Sequence, residues 1–431
     1  MTSGLKGQLA KWPEYRLRFL LEKTRSVDEF RRLERVREVS FIPMENIGEK
    51  GEIDTSQVKL KGEVSNGYTL FFEGDVLVAK ITPCFENGKG AVARELIGGI
   101  GFGTTELYVL DPGAKLHEQF LYYITVSEHF RKLGEASMKG AAGQKRVPDE
   151  FIQDYRFRLP PLETQRRIAD YLDRETARID ALIAEKEKML ALLEEKRTAL
   201  ISRAVTRGLN PDAPMKPSGL DWLGDIPAHW EIRALKRASA AIDTGSTPSA
   251  SYMDGTSPSD FIWFTPGDFE NGRVLNDSKR KIPVEAIENR EAKVFPANSV
   301  MVIGIGATLG KVAISPVEFS ANQQINVIYP SEETCPNYLL FVLQSYEKVL
   351  QAHANSATLP ILNQERLGAI RIPFPPKDEQ IAIADIINAE ELGENELENE
   401  LRSSIGLLKE RRVALITATV TGQVGWKGIA A

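Results

Sequence analysis

The stretch "GIGATLGKV", residues 304–312, places glycines and a lysine where a phosphate could be cradled. A P-loop needs Gly-x-x-x-x-Gly-Lys followed by Ser or Thr, so that backbone N–H groups wrap the phosphates and the hydroxyl holds magnesium. Here Gly306 is one residue too close to Gly310, Gly304 is one too far, and Val312 takes the hydroxyl position. A dinucleotide fingerprint fails too, because Gly304-x-Gly306 lacks its third glycine and no βαβ unit follows. His117, His129, His229 and His353 are scattered without metal-ligand spacing, so no metal site is expected. No Asn-Pro-Pro-aromatic run is present to grip the amino group of a flipped adenine. Glu185-Lys186-Glu187-Lys188 lies in a helical pattern, where alternating charge is an ordinary solvated face. No catalytic constellation emerges, which leaves a binding surface and the elements that would position it.

The chain has 431 residues, enough for two to four compact units with a sizeable core. Hydrophobic residues make up 42% and charged residues 26%, a globular balance. The most apolar stretch, "SVMVIGIGATLGKVAIS", is broken by glycines and a lysine, and the N-terminus has no run of signal-peptide length. A cytoplasmic protein without a membrane partner is expected. Cys84 and Cys335 lack paired spacing and read as buried thiols. The net charge of −6 argues against a phosphate-rich partner until the charge is located. Acid concentrates in "NAEELGENELENE" (388–400), whereas "EKTRSVDEFRRLERVR" and "MKGAAGQKRV" are locally basic. A nucleic-acid surface needs only such a local patch.

An internal repeat sets the architecture. "LPPLETQRRI" from residue 159 returns as "FPPKDEQIAI" from residue 374, with Pro375 lying 215 residues after Pro160. The same offset relates Gln165 to Gln380, "ALISRAVT" (199–206) to "ALITATVT" (414–421), and Ser3-Gly4-Leu5 to Ser218-Gly219-Leu220. Twice 215 nearly exhausts the chain, which is therefore one unit duplicated: a domain of about 145 residues followed by a helix of about 45. Each Pro-Pro pair can begin a helix but not continue it backward. In the first helix Leu172, Thr176, Ile179, Ile183, Leu190, Leu193, Leu200 and Ala204 follow 4-3 spacing, interrupted by Lys186 and Arg197. A helix of roughly 65 Å cannot bury that stripe alone. The second copy, with Ile387, Leu401, Ile405, Leu408 and Leu415, is its expected partner in an antiparallel coiled coil with approximate two-fold symmetry, its acidic middle facing Lys186 and Lys188.

Before each helix the pattern changes to short apolar runs between glycine and proline turns. "YTLFFEGDVLVAKITPC", "GFGTTELYVLD", "DFIWFTPGDF", "SVMVIGIGATLGKVAIS" and "INVIYP" read as strands. "HEQFLYYITVSEHFRKLGEA" and "CPNYLLFVLQSYEKVLQAHA" read as one helix in each domain. The expected fold class is α+β: two similar strand-rich domains at 1–159 and 230–374, helices at 160–208 and 375–422, a linker at 209–229 and a tail at 423–431.

Essentially the whole chain resembles the specificity subunits of type I restriction-modification systems. The resemblance rests on the duplicated helix starts, the join "KPSGLDWLGDIPAHWEIRAL", "DTGSTPS" (243–249), "WFTPGDF" (263–269) and "NSVMVIGIGATLGKVAI" (298–314), in this order. The first half departs further, with "IPMENI" (42–47) in place of the "TPGD" loop. The resemblance implies two target recognition domains, each reading half of a split, asymmetric DNA sequence, and paired helices that set the spacer and dock methyltransferase subunits. It implies double-stranded DNA, two methyltransferase subunits and, through the assembled complex, restriction subunits as partners. This chain would itself be non-catalytic and hold no cofactor. S-adenosylmethionine would belong to the methyltransferase, and ATP with magnesium to the nuclease subunit. Each helix residue adds about 1.5 Å against about 3.4 Å per base pair, so an inserted heptad should lengthen the spacer and leave the half-sites alone.

Amides and hydroxyls on turns can pair with base edges, and lysines suit phosphate. The candidate DNA contacts in the second domain are Ser246, Thr247, Thr308, Lys311, Asn322, Gln323 and Gln324; in the first they are Lys80, Thr82, Lys89, Thr104, Thr105, Lys145 and Arg146. The bland alternatives are that Asn322-Gln323-Gln324 caps a strand, that Thr104-Thr105 pairs across a sheet, and that Gly306 and Gly310 only form a turn. Competing functions are a protein-binding scaffold, which predicts no salt-dependent duplex affinity, a nucleotide switch built on "GIGATLGK", and a modulator of a related complex.

Overall fold

The structure, a computed structural model, describes residues 12–24, 29, 33–34, 36–141, 143–252, 260–354 and 360–423. Ser3-Gly4-Leu5, half of "EKTRSVDEFRRLERVR" and the tail after 423 lie outside them. The chain divides into two compact units, 1–187 with 402–431, and 188–401.

The first unit contains β1 (Glu14–Arg16), β2 (Glu38–Ile42), β3 (Val58–Leu60), α1 (Lys61–Val64), β4 (Thr69–Phe72), β5 (Val76–Ala79), β6 (Gly90–Val92), β7 (Ile100–Gly103) and β8 (Leu107–Leu110). Then come α2 (Glu118–Thr125), α3 (Glu128–Ser137), α4 (Asp149–Asp154), β9 (Arg156–Arg158) and the long α5 (Leu162–Arg207), which begins here. One sheet runs β3-β2-β7-β4 and a second β6-β5-β8, while β1 pairs with β9. Every residue of β5, "VLVA", is buried, and strand alternation splits its side chains between two cores. Val76 and Val78 pack with Phe120 and Leu121 of α2, whereas Leu77 and Ala79 pack with Ile42, Phe71 and Leu107.

The second unit holds β10 (Met215–Pro217), β11 (Asp225–Pro227), β12 (Glu231–Ala234), α6 (Leu235–Ala238), β13 (Ser239–Thr244), β14 (Phe261–Phe264), β15 (Lys281–Ile282), α7 (Val284–Glu288), β16 (Val300–Ile303), β17 (Val312–Ile314), β18 (Ser320–Ala321) and β19 (Ile325–Pro330). After these come α8 (Pro336–Ser345), α9 (Glu347–Ala352), α10 (Gln364–Ala369), β20 (Arg371–Phe374) and the long α11 (Lys377–Val420). Its sheets run β13-β19-β16-β17 and β15-β14-β18. All four residues of β16 are buried, and as on β5 they alternate between two cores: Val300 and Val302 face Tyr338 and Leu339 of α8, while Met301 and Ile303 face Phe264 and Phe319. The parallel pair β2–β7, joining Phe41 to Phe102, returns as β14–β18, joining Phe264 to Ala321. The stretch 209–229 contains β10 and β11, which pair antiparallel.

Within each unit the two long helices run antiparallel. In the first, Ile168 and Leu172 share a core with Ile416 and Val420, and Arg412 Nε binds Asp180 at 3.1 Å. In the second, Ile201 and Val205 share a core with Ile383 and Ile387, and Lys196 Nζ meets Glu394 at 3.1 Å. Leu172, Ile179, Ile183, Ile387, Leu401 and Ile405 are buried, and Leu190, Leu193, Leu200, Leu408 and Leu415 are half-buried. The acidic stretch of α11 meets different cations from those expected. Glu390, Glu391 and Glu394 face Lys196, Arg197 and Arg273 instead of Lys186 and Lys188, because the antiparallel register sets the 390s against 196–197.

Two further expectations are corrected. Each single helix expected before the long one is broken in two. Ser127 stops the first by donating to the Ile124 carbonyl at 2.7 Å and caps α3 by accepting from Phe130 N at 3.4 Å; Tyr346, with ψ 13°, makes the break between α8 and α9. Cys84 and Cys335 are unpaired but half-buried, not fully buried. Among the described residues no helix is long and apolar enough to cross a membrane.

Candidate nucleic-acid interface

Five of the expected contact residues lie on one recurring turn, and six more lie on segments that meet it. In the second unit it joins β18 to β19. Asn322 Oδ1 accepts from Gln324 N at 2.8 Å, an Asx turn that closes the loop, and Gly304 N donates to the Gln324 carbonyl at 2.8 Å. In the first unit the turn joins β7 to β8. Thr104 Oγ1 accepts from Glu106 N at 3.2 Å, and Lys80 N donates to the Glu106 carbonyl at 3.0 Å. The strands beyond have matching register, Ala79 opposite Leu107 and Ile303 opposite Ile325. Asn322 and Thr104 therefore spend an oxygen on the turn itself, which leaves Gln323 and Thr105 as its exposed side chains.

Neighbouring segments converge on each turn. Ser246 N donates to the Ala321 carbonyl at 2.8 Å, and Asn322 Nδ2 donates to Thr247 Oγ1 at 3.2 Å. Gly245 permits this approach, since a Cβ there would lie 2.2 Å from the Ala321 oxygen. In the first unit Thr82 N and Oγ1 both donate to the Lys145 carbonyl, at 3.0 and 3.2 Å, and Lys139 and Arg146 pair backbone to backbone. Lys80, Thr82, Thr104, Thr105, Lys145 and Arg146 thus share one neighbourhood, which also holds Lys139. Lys80 Nζ lies 5.0 Å above the Tyr108 ring.

Lys89 Nζ donates to the Met44 carbonyl at 3.2 Å, two residues after Ile42, which pairs with Gly103 at the start of the turn. Thr308 and Lys311 belong to the tight loop between antiparallel β16 and β17, where Lys311 N donates to the Thr308 carbonyl at 3.2 Å. Gly306 and Gly310 shape this loop, at φ +100° and +92°. A strand follows it, so no helix N-terminus is available for a phosphate cradle. Lys311 lines a groove of about 520 Å³ with Arg273, Gln344, Glu347 and Asn395.

Charge in the first neighbourhood is partly compensated. Arg146 donates to both oxygens of Glu106, at 2.7 and 2.9 Å, and this hydrogen bonding holds the carboxyl below its usual range. In the second unit Lys293 Nζ binds Asp243 at 2.6 Å while its backbone N donates to Ser246 Oγ at 3.1 Å. Below the turn, Gln364 donates to Thr244 Oγ1 and Thr244 to the buried Asn326, whose amide reaches the Leu362 carbonyl at 2.7 Å. Sequence reading missed Lys139, Glu106, Lys293 and this relay, because their partners lie apart along the chain and meet them only in the fold. The "TPGD" segment is a cap: Asp268, 1% exposed, accepts from Thr265 N, Thr265 Oγ1 and Lys279 N at 2.7, 2.8 and 2.7 Å. Among the described residues no group of three or more His, Cys, Asp or Glu side chains could hold a metal.

Known proteins share this organisation. The type I restriction enzyme EcoEI specificity subunit of Escherichia coli is 39% identical over 175 residues, 38% of this chain and 30% of that relative. The EcoAI specificity subunit of the same organism is 45% identical over 133 residues, 30% of this chain and 23% of the relative. These alignments span less than a third of either relative's length. A chain from a type I R-M system, solved to explain complex assembly and conformational transition, superposes with a TM-score of 0.76 at 18% identity, covering 96% of this chain and 98% of that one. This is a likeness of fold. The model of the type I restriction modification DNA specificity domain matches residues 11–191 and again 227–406. With both halves matched, in the same two stretches that carry the repeated strand order and turn, this chain belongs to the type I restriction modification DNA specificity domain family.

Proposed function

We propose that this chain is the sequence-specific DNA-recognition subunit of a type I restriction-modification complex. The observation that carries the reading is the recurring turn. One strand scaffold presents Thr104-Thr105-Glu106 in the first domain and Asn322-Gln323-Gln324 in the second. Equivalent frames with different hydrogen-bonding edges are suited to reading two different half-sites of double-stranded DNA. The recognition domains are residues 1–159 and 230–374. Ser246, Thr247, Gln323, Gln324, Thr82 and Thr105 face bases, and Lys80, Lys145 and Arg146 face phosphates. The paired helices set the spacer and dock two methyltransferase subunits, through which restriction subunits join in the cytoplasm. The chain positions the target and leaves the chemistry to those partners.

The test is adenine methylation mapped by single-molecule sequencing in a methylation-free host expressing this chain with its neighbouring methyltransferase. A two-part motif that disappears without this chain, and changes at one half when one domain is exchanged, supports the reading. A stably assembled, active methyltransferase giving the same pattern with or without this chain would refute it.

A further inference from the structure

Each domain rests on its helix pair through a bridging carboxylate. In the first unit Asp180 of α5 binds Arg412 Nε of α11 at 3.1 Å and Lys50 Nζ, from the loop after β2, at 3.3 Å. In the second, Glu391 of α11 binds Arg273, from the loop after β14, and Arg197 Nε of α5 at 3.6 Å. The cations are equivalent in the two copies. Arg197 and Arg412 are 215 residues apart, and Lys50 and Arg273 each lie seven residues after Pro43 and Pro266, the prolines that follow β2 and β14.

The carboxylates are not equivalent. Asp180 maps by the same offset to Asn395, which still binds Arg197, and Glu391 maps to Thr176, one helical turn away. The charge has moved by four residues while the contact from domain loop to both helices has been kept. An incidental surface pair gives no reason for such compensation; a requirement on the angle of the domain does. The second bridge is also the tighter one. Glu391 is 2% exposed, and the Arg273 guanidinium sits 5.0 Å over the Phe341 ring, whereas Lys50 remains 45% exposed. A buried ion held by two partners resists displacement, because leaving either charge unpaired is strongly unfavourable. Across a domain on the order of 35 Å wide, a tilt of about 6° moves the far edge by about one base-pair step of 3.4 Å.

We propose that Arg273, Glu391 and Arg197, with Lys50, Asp180 and Arg412 as a looser counterpart, are positioning residues that fix the tilt of each recognition domain on its helix pair and so restrict the target to one spacer length. This rests on the reading of the chain as the recognition subunit. The test uses the complex with its methyltransferase and a plasmid library in which the spacer varies by one and two base pairs. With Arg273→Gln, preference for the wild-type spacer falls threefold or more while both half-sites keep their bases; Lys50→Met has a smaller effect in the same direction. Unchanged spacer preference in an assembled Arg273→Gln complex would overturn the proposal, and so would a change of half-site bases instead of spacing. If Arg273→Gln does not assemble, Arg273→Lys decides, since it keeps the charge and loses the fork: a lowered preference supports the proposal and wild-type preference overturns it. A wild-type complex with no motif dependent on this chain refutes the recognition reading itself, a distinct result.

Discussion

Gln165 and Gln380, 215 residues apart, make the same three hydrogen bonds. Gln165 Nε2 donates to the carbonyls of Pro160 and Lys115 at 2.8 and 2.9 Å, and its Oε1 accepts from His117 N at 2.9 Å. Gln380 Nε2 donates to the carbonyls of Pro375 and Glu333 at 2.9 and 3.1 Å, and its Oε1 accepts from Cys335 N at 2.8 Å. Both side chains are fully buried. Each amide ties the start of a long helix to the loop that opens α2 in the first unit or α8 in the second, which gives the Pro-Pro-x-x-x-Gln pattern its physical role.

Replacing Gln380 by Leu leaves the Cys335 N–H and two carbonyls without partners in a dry site. The expected loss is about 2–4 kcal/mol, read as a lower urea midpoint, and Gln165→Leu should match it within about 1 kcal/mol. A loss under about 0.5 kcal/mol in either variant would mean that water or a shifted loop replaces the bonds.

The duplication, the strand-rich domains and the antiparallel helices were legible because they rest on periodicity and offset, which act locally. Val76–Ala79 and Val300–Ile303 announce themselves as buried strands by unbroken apolar runs. The candidate site was legible only in part. Asn322 and Thr104 each close their own turn, a role that depends on the loop conformation. Lys311 sits in a glycine-rich run that suggests phosphate, and only the fold shows that it lines a groove with Gln344 and Glu347. The helix breaks at Ser127 and Tyr346 were hidden because apolar spacing continues through both.

Asp268 tests whether the "TPGD" motif is structural. Asp268→Ala removes the acceptor for three donors in a site 1% exposed, at an expected cost of about 3 kcal/mol. Asp268→Asn keeps one acceptor oxygen and should recover about half of that. Methylation maps should then show weakened discrimination at the second half-site alone. Loss at the first half-site would contradict a local role.

Glu106 restrains Arg146. Because the arginine lowers the Glu106 carboxyl pKa, the pair is intact at neutral pH and is lost only as pH falls through a value below the usual carboxylate range. Glu106→Gln frees the guanidinium for phosphate, so duplex affinity should rise across all sequences and the slope of log K against log salt should steepen by about 1. An unchanged slope would place Arg146 outside the DNA path.

Gln323 and Lys311 separate readout from scaffold. Gln323 is exposed at the tip of the turn, where a planar amide can bond bidentately to a base edge, and the equivalent tip residue in the first domain is Thr105. Gln323→Ala should cost about 1–3 kcal/mol against the cognate base and relax one position of the second half-site. Lys311→Ala should leave every position of the motif intact, since its loop faces a groove lined by Gln344, Glu347 and Asn395. Competition binding with a duplex set substituted at each position distinguishes them. A specificity change from Lys311→Ala with none from Gln323→Ala would move the reading surface from the β18–β19 turn to the β16–β17 hairpin.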